Sequence, residues 1–183
     1  MTGDITVISG PTAVGKGTLV TELRNRYPEV YVSISATTRS PRPGEIDKVH
    51  YYFIDDAAFD RLIAEDGLLE WAEVHGNTRY GTPREPVLQA VAHGKRVILE
   101  IDLQGARQVR EKLPEAKSIF VLPPDLDALM ERLTRRGTET PEQIERRLST
   151  ASYELAHKNE FDHIVVNDDL GQAVDELVRL IGL

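Results

Sequence analysis

The sequence predicts an α/β fold, a parallel sheet with helices on both faces, and three observations point that way. Five short apolar runs, at 5–8, 30–34, 97–101, 118–122 and 163–166, have the length of strands. Helical patterns at 15–26, 83–93, 103–113, 125–135, 141–159 and 171–182 alternate with them, and such alternation calls for parallel strands joined by crossover helices. A glycine-rich turn connects the first apolar run to the first helical pattern.

Each element has its own local signal. Ile5-Thr6-Val7-Ile8 reads as a buried strand and feeds directly into Gly10-Pro11-Thr12-Ala13-Val14-Gly15-Lys16-Gly17-Thr18, after which Leu19, Val20 and Leu23 carry a helical period. From about 36 to 82 the alternation stops. That stretch is rich in turns and charges, holds Tyr51-Tyr52-Phe53, and reads as an inserted lobe of short strands and one small helix. The helix at 83–93 runs out at Gly94, suited to a C′ position before the strand at Arg96–Ile101. The patterns at 125–135 and 141–159 flank Gly137-Thr138-Glu139-Thr140-Pro141 and predict a hinged helical hairpin, with Thr140 and Gln143 as a capping pattern. The last strand, His163–Val166, delivers Asn167 to the carboxyl edge of the sheet, where ligands bind in this architecture. Taken alone, Asn167-Asp168 reads equally well as a turn or a helix cap.

Composition narrows the function. The chain has 183 residues, enough for one globular unit with a sizeable core, and a formal net charge of −8. That charge argues against a general nucleic-acid or anionic-membrane binder, so a polyanionic substrate must meet local arginine and lysine clusters. With no cysteine, disulfides, thiolate catalysis and cysteine–zinc sites are all excluded. The five histidines, at 50, 75, 93, 157 and 163, show no ligand spacing. No apolar run approaches a membrane span, and the first strand begins almost at the N-terminus. The expectation is a cytoplasmic protein with no nucleic-acid, membrane or obligatory protein partner.

Gly10–Thr18 carries the most specific chemistry. A glycine-rich turn from strand to helix aims successive backbone N–H groups from the positive end of a helix. That cradle holds a triphosphate, with Lys16 as a point charge toward its β- and γ-phosphates. The strict pattern places Ser or Thr directly after the lysine, whereas Gly17 here precedes Thr18. A second cluster, Ser35-Ala36-Thr37-Thr38-Arg39-Ser40-Pro41-Arg42-Pro43-Gly44-Glu45, sets two arginines three residues apart in a proline-stiffened loop. Their planar forks suit one phosphate, with Tyr51 and Tyr80 as hydroxyl donors. Standing alone, the loop would read as a solvated basic segment. Arg132, Arg135, Arg136, Arg146 and Arg147 bracket the predicted hinge, where guanidinium groups can meet a transferring phosphoryl group. A charged helix face with i,i+4 pairs accounts for part of that set.

In these motifs the chain resembles the guanylate kinases. The resemblance rests on GPTAVGKGT, SATTRSPRPGE, HYYF, LEWAEVHGNTRYGT, ILEIDLQGAR, RRGTETPEQIERRL and FDHIVVND, which span nearly the whole chain in family order. It implies the nucleoside monophosphate kinase fold: a core of 1–35, 83–124 and 150–183, a GMP-binding lobe at 36–82 and a lid at 125–149. It further implies the reaction ATP + GMP ⇌ ADP + GDP with Mg²⁺. By that resemblance Gly10, Pro11, Thr12, Ala13, Val14, Gly15, Lys16, Gly17, Thr18 and Asn167 hold ATP. Arg39, Arg42, Tyr51 and Tyr80 hold the GMP phosphate, and Ser35, Glu70, Thr82 and Glu100 surround its guanine. Lys16, Arg39, Arg136 and Arg147 act in transfer, Arg132 is a lesser candidate, and Thr18 and Asp102 serve the metal, through water where needed.

The carry-over makes chemical sense. Guanine offers two adjacent donors, N1–H and the 2-amino group, which match a carboxylate at Glu70, while hydroxyls at Ser35 or Thr82 match O6. A monophosphate oxygen is already dianionic near neutral pH, so no general base is required. Two positions depart from the family. Glu100 stands where Asp is usual, and Ala13 stands where glycine is common, which the loop tolerates if φ there is negative. An interaction module without catalysis and a related kinase with another phosphate acceptor remain open on sequence alone.

Overall fold

In the computed structural model, which describes residues 5–74, 78–134 and 141–183, β1 (Ile5–Ser9) is buried along its whole length. A strand that reads as a continuous apolar run is one covered on both faces. β1 pairs in parallel with β7 (Val97–Glu100) on one side and β8 (Lys117–Leu122) on the other. Outside these lie β2 (Tyr31–Val32) and β9 (His163–Val166), giving a five-stranded parallel sheet in the order β2-β7-β1-β8-β9.

Helices cover both faces, as the alternation predicts. α1 (Lys16–Arg26) and α7 (Leu170–Ile181) set Leu19, Val20, Leu23, Val174 and Leu177 against Ile8, Ile98 and Ile119. On the opposite face α3 (Arg84–Ala92) and α4 (Leu103–Lys112) pack Val87, Val91, Ala106 and Val109 against Ile5, Val7, Leu99 and Phe120. Gly94 has φ +73, so it takes the left-handed turn expected after α3.

The stretch after β2 leaves this sheet and builds a second one. β3 (Ala36–Thr37), β4 (Tyr52–Phe53), β5 (Leu68–Val74) and β6 (Thr78–Pro83) form a sheet in the order β4-β3-β6-β5, with β3 and β4 parallel and the other pairs antiparallel. The small helix α2 (Asp56–Ala64) covers it by burying Phe59 against Ala36 and Leu68. Near the C-terminus, α5 (Leu126–Thr134) and α6 (Pro141–Ala156) join through Leu129, Leu133 and Ala151, with Ala13 packed on the same cluster.

Among the described residues, boundaries differ from the sequence expectation by more than one residue in two places. The strand expected at 30–34 shrinks to two residues, because it is an edge strand paired only with β7 before the chain departs for the second sheet. The helix expected at 141–159 ends at Ala156 and passes into a 3₁₀ turn at Lys158–Glu160. The expected hinge at 137–140, with the Thr140–Gln143 capping pattern, lies outside the described residues. Among the described residues, no helix is long and apolar enough to cross a membrane.

Candidate active site

Where β1 gives way to α1, the backbone turns through conformations that few side chains permit. Gly10 has φ +147, and a Cβ there would sit 2.4 Å from the Val121 carbonyl oxygen, so only glycine fits beside β8. Gly15, the N-cap of α1, has φ +97 and would bring a Cβ within 2.6 Å of Asn167 Nδ2. Ala13 has φ +63, so the condition under which the loop would accept alanine without strain is not met. A left-handed alanine costs about 1–2 kcal/mol, which the packing of its methyl group against the α5–α6 cluster helps to offset.

Loop and helix together leave donors for a ligand. α2, α4 and α7 each begin with an aspartate, Asp55, Asp102 and Asp169, whose side chain accepts a first-turn N–H. α1 has no side-chain cap. Its first N–H groups therefore face the loop's concave side, at the positive end of the helix, as an anion site requires.

The outer face of the loop is tied down. Val14 oxygen accepts from Asn167 Nδ2 at 2.8 Å and from Arg132 Nη1 at 3.1 Å, and Arg132 Nη2 reaches Asn167 oxygen at 3.2 Å. Lys16 donates to the carbonyls of Gly10 and Pro11. Burial pushes the Lys16 pKa down, while the carboxylates of Glu154, Glu100 and Asp102 oppose that shift and favour the charged ammonium. Beside the loop lies an open cavity of about 590 Å³ lined by Ala13, Gly15, Thr18, Arg132, Asn167 and Leu170 among others.

On the second sheet, β5 and β6 place Glu70 directly opposite Thr82. Both side chains are buried, and Thr82 Oγ1 donates to Glu70 Oε1 at 2.6 Å. The Thr82 hydroxyl is thus donated to the carboxylate in this structure. Burial pushes the Glu70 pKa up to about 7; the Thr82 hydroxyl opposes the shift and the nearby Asp102 carboxylate adds to it. The second carboxylate oxygen faces α4, where a Cβ on Gly105 would approach Oε2 to 2.9 Å. Ser35 is half-buried just before β3, and its carbonyl accepts from Tyr52 N at 2.9 Å.

Arg39 is built as a fixed fork. Its Nη1 and Nη2 donate to the two Glu45 oxygens at 2.6 and 2.7 Å, and its Nε donates to Tyr80 Oη at 3.0 Å. The guanidinium lies 5.0 Å from the Tyr51 ring centroid, and the Tyr51 and Tyr80 rings meet edge-on at 5.9 Å. Glu45 also accepts the Arg42 backbone N–H at 2.7 Å, while the Arg42 residue stays exposed at the loop surface. Arg39 thus holds the Glu45 carboxyl at a pKa of about 2. The two arginines do not present equivalent forks: one is fixed by Glu45, the other is displayed.

The two halves meet at the carboxyl end of β7. Asp102, exposed, accepts the Gly105 N–H at Oδ1 over 2.7 Å, and its charge is felt by Lys16, Glu70 and Glu154 alike. Glu100 is also exposed there, with Oε1 3.6 Å from where a Gly17 Cβ would stand. Gly17 and Glu100 line a cleft of about 430 Å³ between α1, β2 and the loop carrying Val49 and His50, while Thr18 lines the cavity on the other side. Arg147 Nη2 lies 3.4 Å from Thr12 Oγ1, whereas Arg136 falls outside the described residues.

Three residues at this site went unread or under-read in the sequence. Glu45 closes the arginine loop and carried a local signal, an acid six residues after Arg39. Arg132 donates to the carbonyls of Val14 in the phosphate loop and of Asn167 after β9, a contact no local signal announces. Glu154, buried on α6 beside Lys16, had no sequence signal, because its partners lie at the other end of the chain.

The guanylate kinase family model matches residues 2–182. A guanylate kinase from Thermobifida fusca (strain YX) is 60% identical over 177 residues, covering 97% of this chain and 90% of that one. One from Cutibacterium acnes is 57% identical over 184 residues, covering 100% and 92%. The crystal structure of guanylate kinase from Anaplasma phagocytophilum superposes with a TM-score of 0.76 at 31% identity, covering 97% of this chain and 84% of that one. Shikimate kinase from Bacteroides thetaiotaomicron, at 14% identity and a TM-score of 0.52, shares the fold alone. With the family model matching residues 2–182 and relatives this similar over nearly the full length, the chain belongs to the guanylate kinase family.

Proposed function

We infer that the chain transfers the γ-phosphoryl group of ATP to GMP, giving ADP and GDP. The observation that carries this reading is a phosphate loop with Lys16 in the same fold as a buried carboxylate, Glu70, whose Oε2 lies with Asp102 Oδ1 beside Gly105 at the start of α4. Residues 10–18 would hold the ATP phosphates, and the cavity beside Asn167 would take its adenine. Segment 36–82 would act as the acceptor lobe and 125–149 as the lid.

In the acceptor site Arg39, Arg42, Tyr51 and Tyr80 would hold the GMP phosphate, with Ser35, Glu70, Thr82 and Glu100 around the guanine. The acceptor oxygen is a phosphate dianion with a second pKa near 6, so alignment and charge stabilisation replace a general base. Lys16 would exchange its loop carbonyls for phosphate oxygens. Arg147, beside Thr12, and Arg136 would approach the transferred group from the lid and meet its developing charge.

Mg²⁺ suits this donor set. Among the described residues no cluster of three or more His, Cys, Asp or Glu forms a protein cage for a metal, whereas Thr18 and Asp102 are exposed near the loop. That arrangement fits an ion held by phosphates and waters with a hydroxyl and one carboxylate nearby. When bound, it would neutralise charge on the β- and γ-phosphate oxygens.

A coupled ADP-release assay with ATP and Mg²⁺, offering GMP, AMP, UMP and CMP separately, tests the reading. Turnover with GMP alone is expected, and preference for any other acceptor refutes it. Gly105→Ala gives a finer check. The added Cβ at 2.9 Å must displace the Glu70 carboxylate, so KM for GMP should rise roughly tenfold while KM for ATP stays within twofold.

A further inference from the structure

α4 runs along the outer edge of the second sheet. In the order β4-β3-β6-β5, β5 is an edge strand, and alternate residues of such a strand turn their backbone N–H and C=O away from the sheet. One side chain of α4 meets such a pair. Gln108 Oε1 accepts the Trp71 N–H at 3.0 Å, and Gln108 Nε2 donates to the Trp71 carbonyl at 2.9 Å. A single amide thus exchanges both hydrogen bonds with one strand residue, as an adjoining strand would in a hydrogen-bonded pair.

The contact continues along the helix. Gly105, Gln108 and Lys112 are spaced i, i+3 and i+7, so they share one side of α4. Lys112 Nζ donates to the Leu68 carbonyl at 2.7 Å and reaches Asp66 Oδ1 at 3.0 Å. Gly105 is the residue whose missing side chain leaves room for Glu70 Oε2. Trp71 directly follows Glu70, so the Gln108 amide acts one residue away from the buried carboxylate.

On its other side, the ladder does not hold that part of β5 evenly. Leu68 pairs with Pro83 and Glu70 with Thr82, so Leu69 is an extra residue and the register shifts just before Glu70. A bulge of this kind re-aims the side chains beside it and interrupts regular pairing. Pro83 also has no N–H to give to the ladder. α4 therefore grips β5 where β6 grips it least, with Lys112 before the bulge and Gln108 after it. Docking of the helix does not require the amide, because Leu103, Ala106 and Val109 already bury the opposite side of α4 in the core.

We propose that Gln108 is a positioning residue for the base-reading carboxylate: its amide fixes the Trp71 backbone, and so sets the direction in which Glu70 leaves the bulged strand toward the acceptor. This rests on reading Glu70 as the group that faces the guanine of GMP. A carboxylate that must meet two donors at once tolerates little displacement, so loosening its backbone should be felt in acceptor binding and not in donor binding. Gln108→Met keeps the length of the side chain and removes both hydrogen bonds. Gln108→Glu keeps an acceptor for the Trp71 N–H and sets a second oxygen against the Trp71 carbonyl.

Steady-state kinetics of the intact protein, with a thermal melt of each sample, read the effect. Gln108→Met should raise KM for GMP about tenfold, with kcat within threefold and KM for ATP within twofold. Gln108→Glu should raise KM for GMP at least threefold with the same selectivity, and it carries the test if Gln108→Met is unfolded at the assay temperature. A double-mutant cycle then asks whether the effect passes through Glu70. In a Glu70→Gln background, adding Gln108→Met should change kcat/KM for GMP less than threefold. Unchanged KM for GMP in the folded variants overturns the proposal. So does an equal rise in both KM values, or a tenfold loss that persists in the Glu70→Gln background. Glu70→Gln alone is the control for the underlying reading: if it uses GMP like wild type, Glu70 does not face the base, and the proposal falls with that reading rather than through Gln108.

Discussion

Replacing Lys16 with methionine should lower kcat by about 10³-fold and leave the protein folded. One preorganised cationic donor at a developing phosphoryl charge contributes on the order of 10²–10³ in rate, and Lys16 stands at the only turn that joins β1 to α1. Burial lowers the Lys16 pKa, and the carboxylates of Glu154, Glu100 and Asp102 oppose that shift and favour the ammonium. Stability should change little, because the methionine removes both the desolvation cost of the ammonium and its attraction to those acids. Single-turnover transfer and a thermal melt on the same sample check this. Turnover within tenfold of wild type would remove Lys16 from the mechanism.

Glu70→Gln should lower kcat/KM for GMP by about 10³-fold while KM for ATP stays within twofold. The substitution turns an acceptor pair into one acceptor and one donor, so it sets an amide donor against a guanine donor in a buried site where neither finds water. The wild-type dependence on pH follows from the same group. With its pKa pushed up to about 7, Glu70 is protonated below that value and loses an acceptor, so kcat/KM for GMP should fall as the pH drops through about 7. The GMP phosphate titrates near 6 and contributes its own step. In Glu70→Gln only the lower step should survive. A profile identical to wild type would show that Glu70 does not face the base.

The stability of the fold carries the opposite sign. The Glu70 pKa rises from an ordinary 4.5 to about 7 on folding, so the folded state binds the proton more tightly. Its contribution is most favourable below about pH 4.5 and is lost as the pH rises through about 7, at a cost on the order of 3 kcal/mol. Glu70→Gln should therefore be more stable than wild type at pH 8 and nearly equal to it at pH 5. Glu154 keeps its own shift in both proteins and cancels from the comparison. Urea melts at the two pH values measure the difference. A variant less stable than wild type at pH 8 would mean that the carboxylate is not paying a burial cost.

Most of the frame was legible because its signals are local. The strand at 5–8, the glycine turn and the helix that follows are a continuous stretch of chain, and each residue's period or turn preference is recorded beside its neighbours. The same holds for Gly94 after α3 and for the irregular segment that became the second sheet. Glu70 and Thr82 were both named, but only the pairing of β5 with β6 shows that the threonine hydroxyl is spent on the carboxylate. For Ala13, the sequence raised the question of φ but could not answer it. Its backbone is left-handed, a conformation set by closure of the loop against α5 and α6 and invisible in the residue itself.

By itself, then, the sequence determined the alternating α/β plan, the phosphate loop with Lys16, the arginine-rich acceptor segment and, through the full run of motifs, the family. Tertiary structure alone decided the order β2-β7-β1-β8-β9, the commitment of Arg39 to Glu45, and the grip of Arg132 and Asn167 on the loop. The physical reason is range. Periodicity and turn chemistry act over a few residues, whereas Arg132 meets Val14 across 118 positions and Asn167 meets it across 153, and no spacing rule connects residues that only packing brings together.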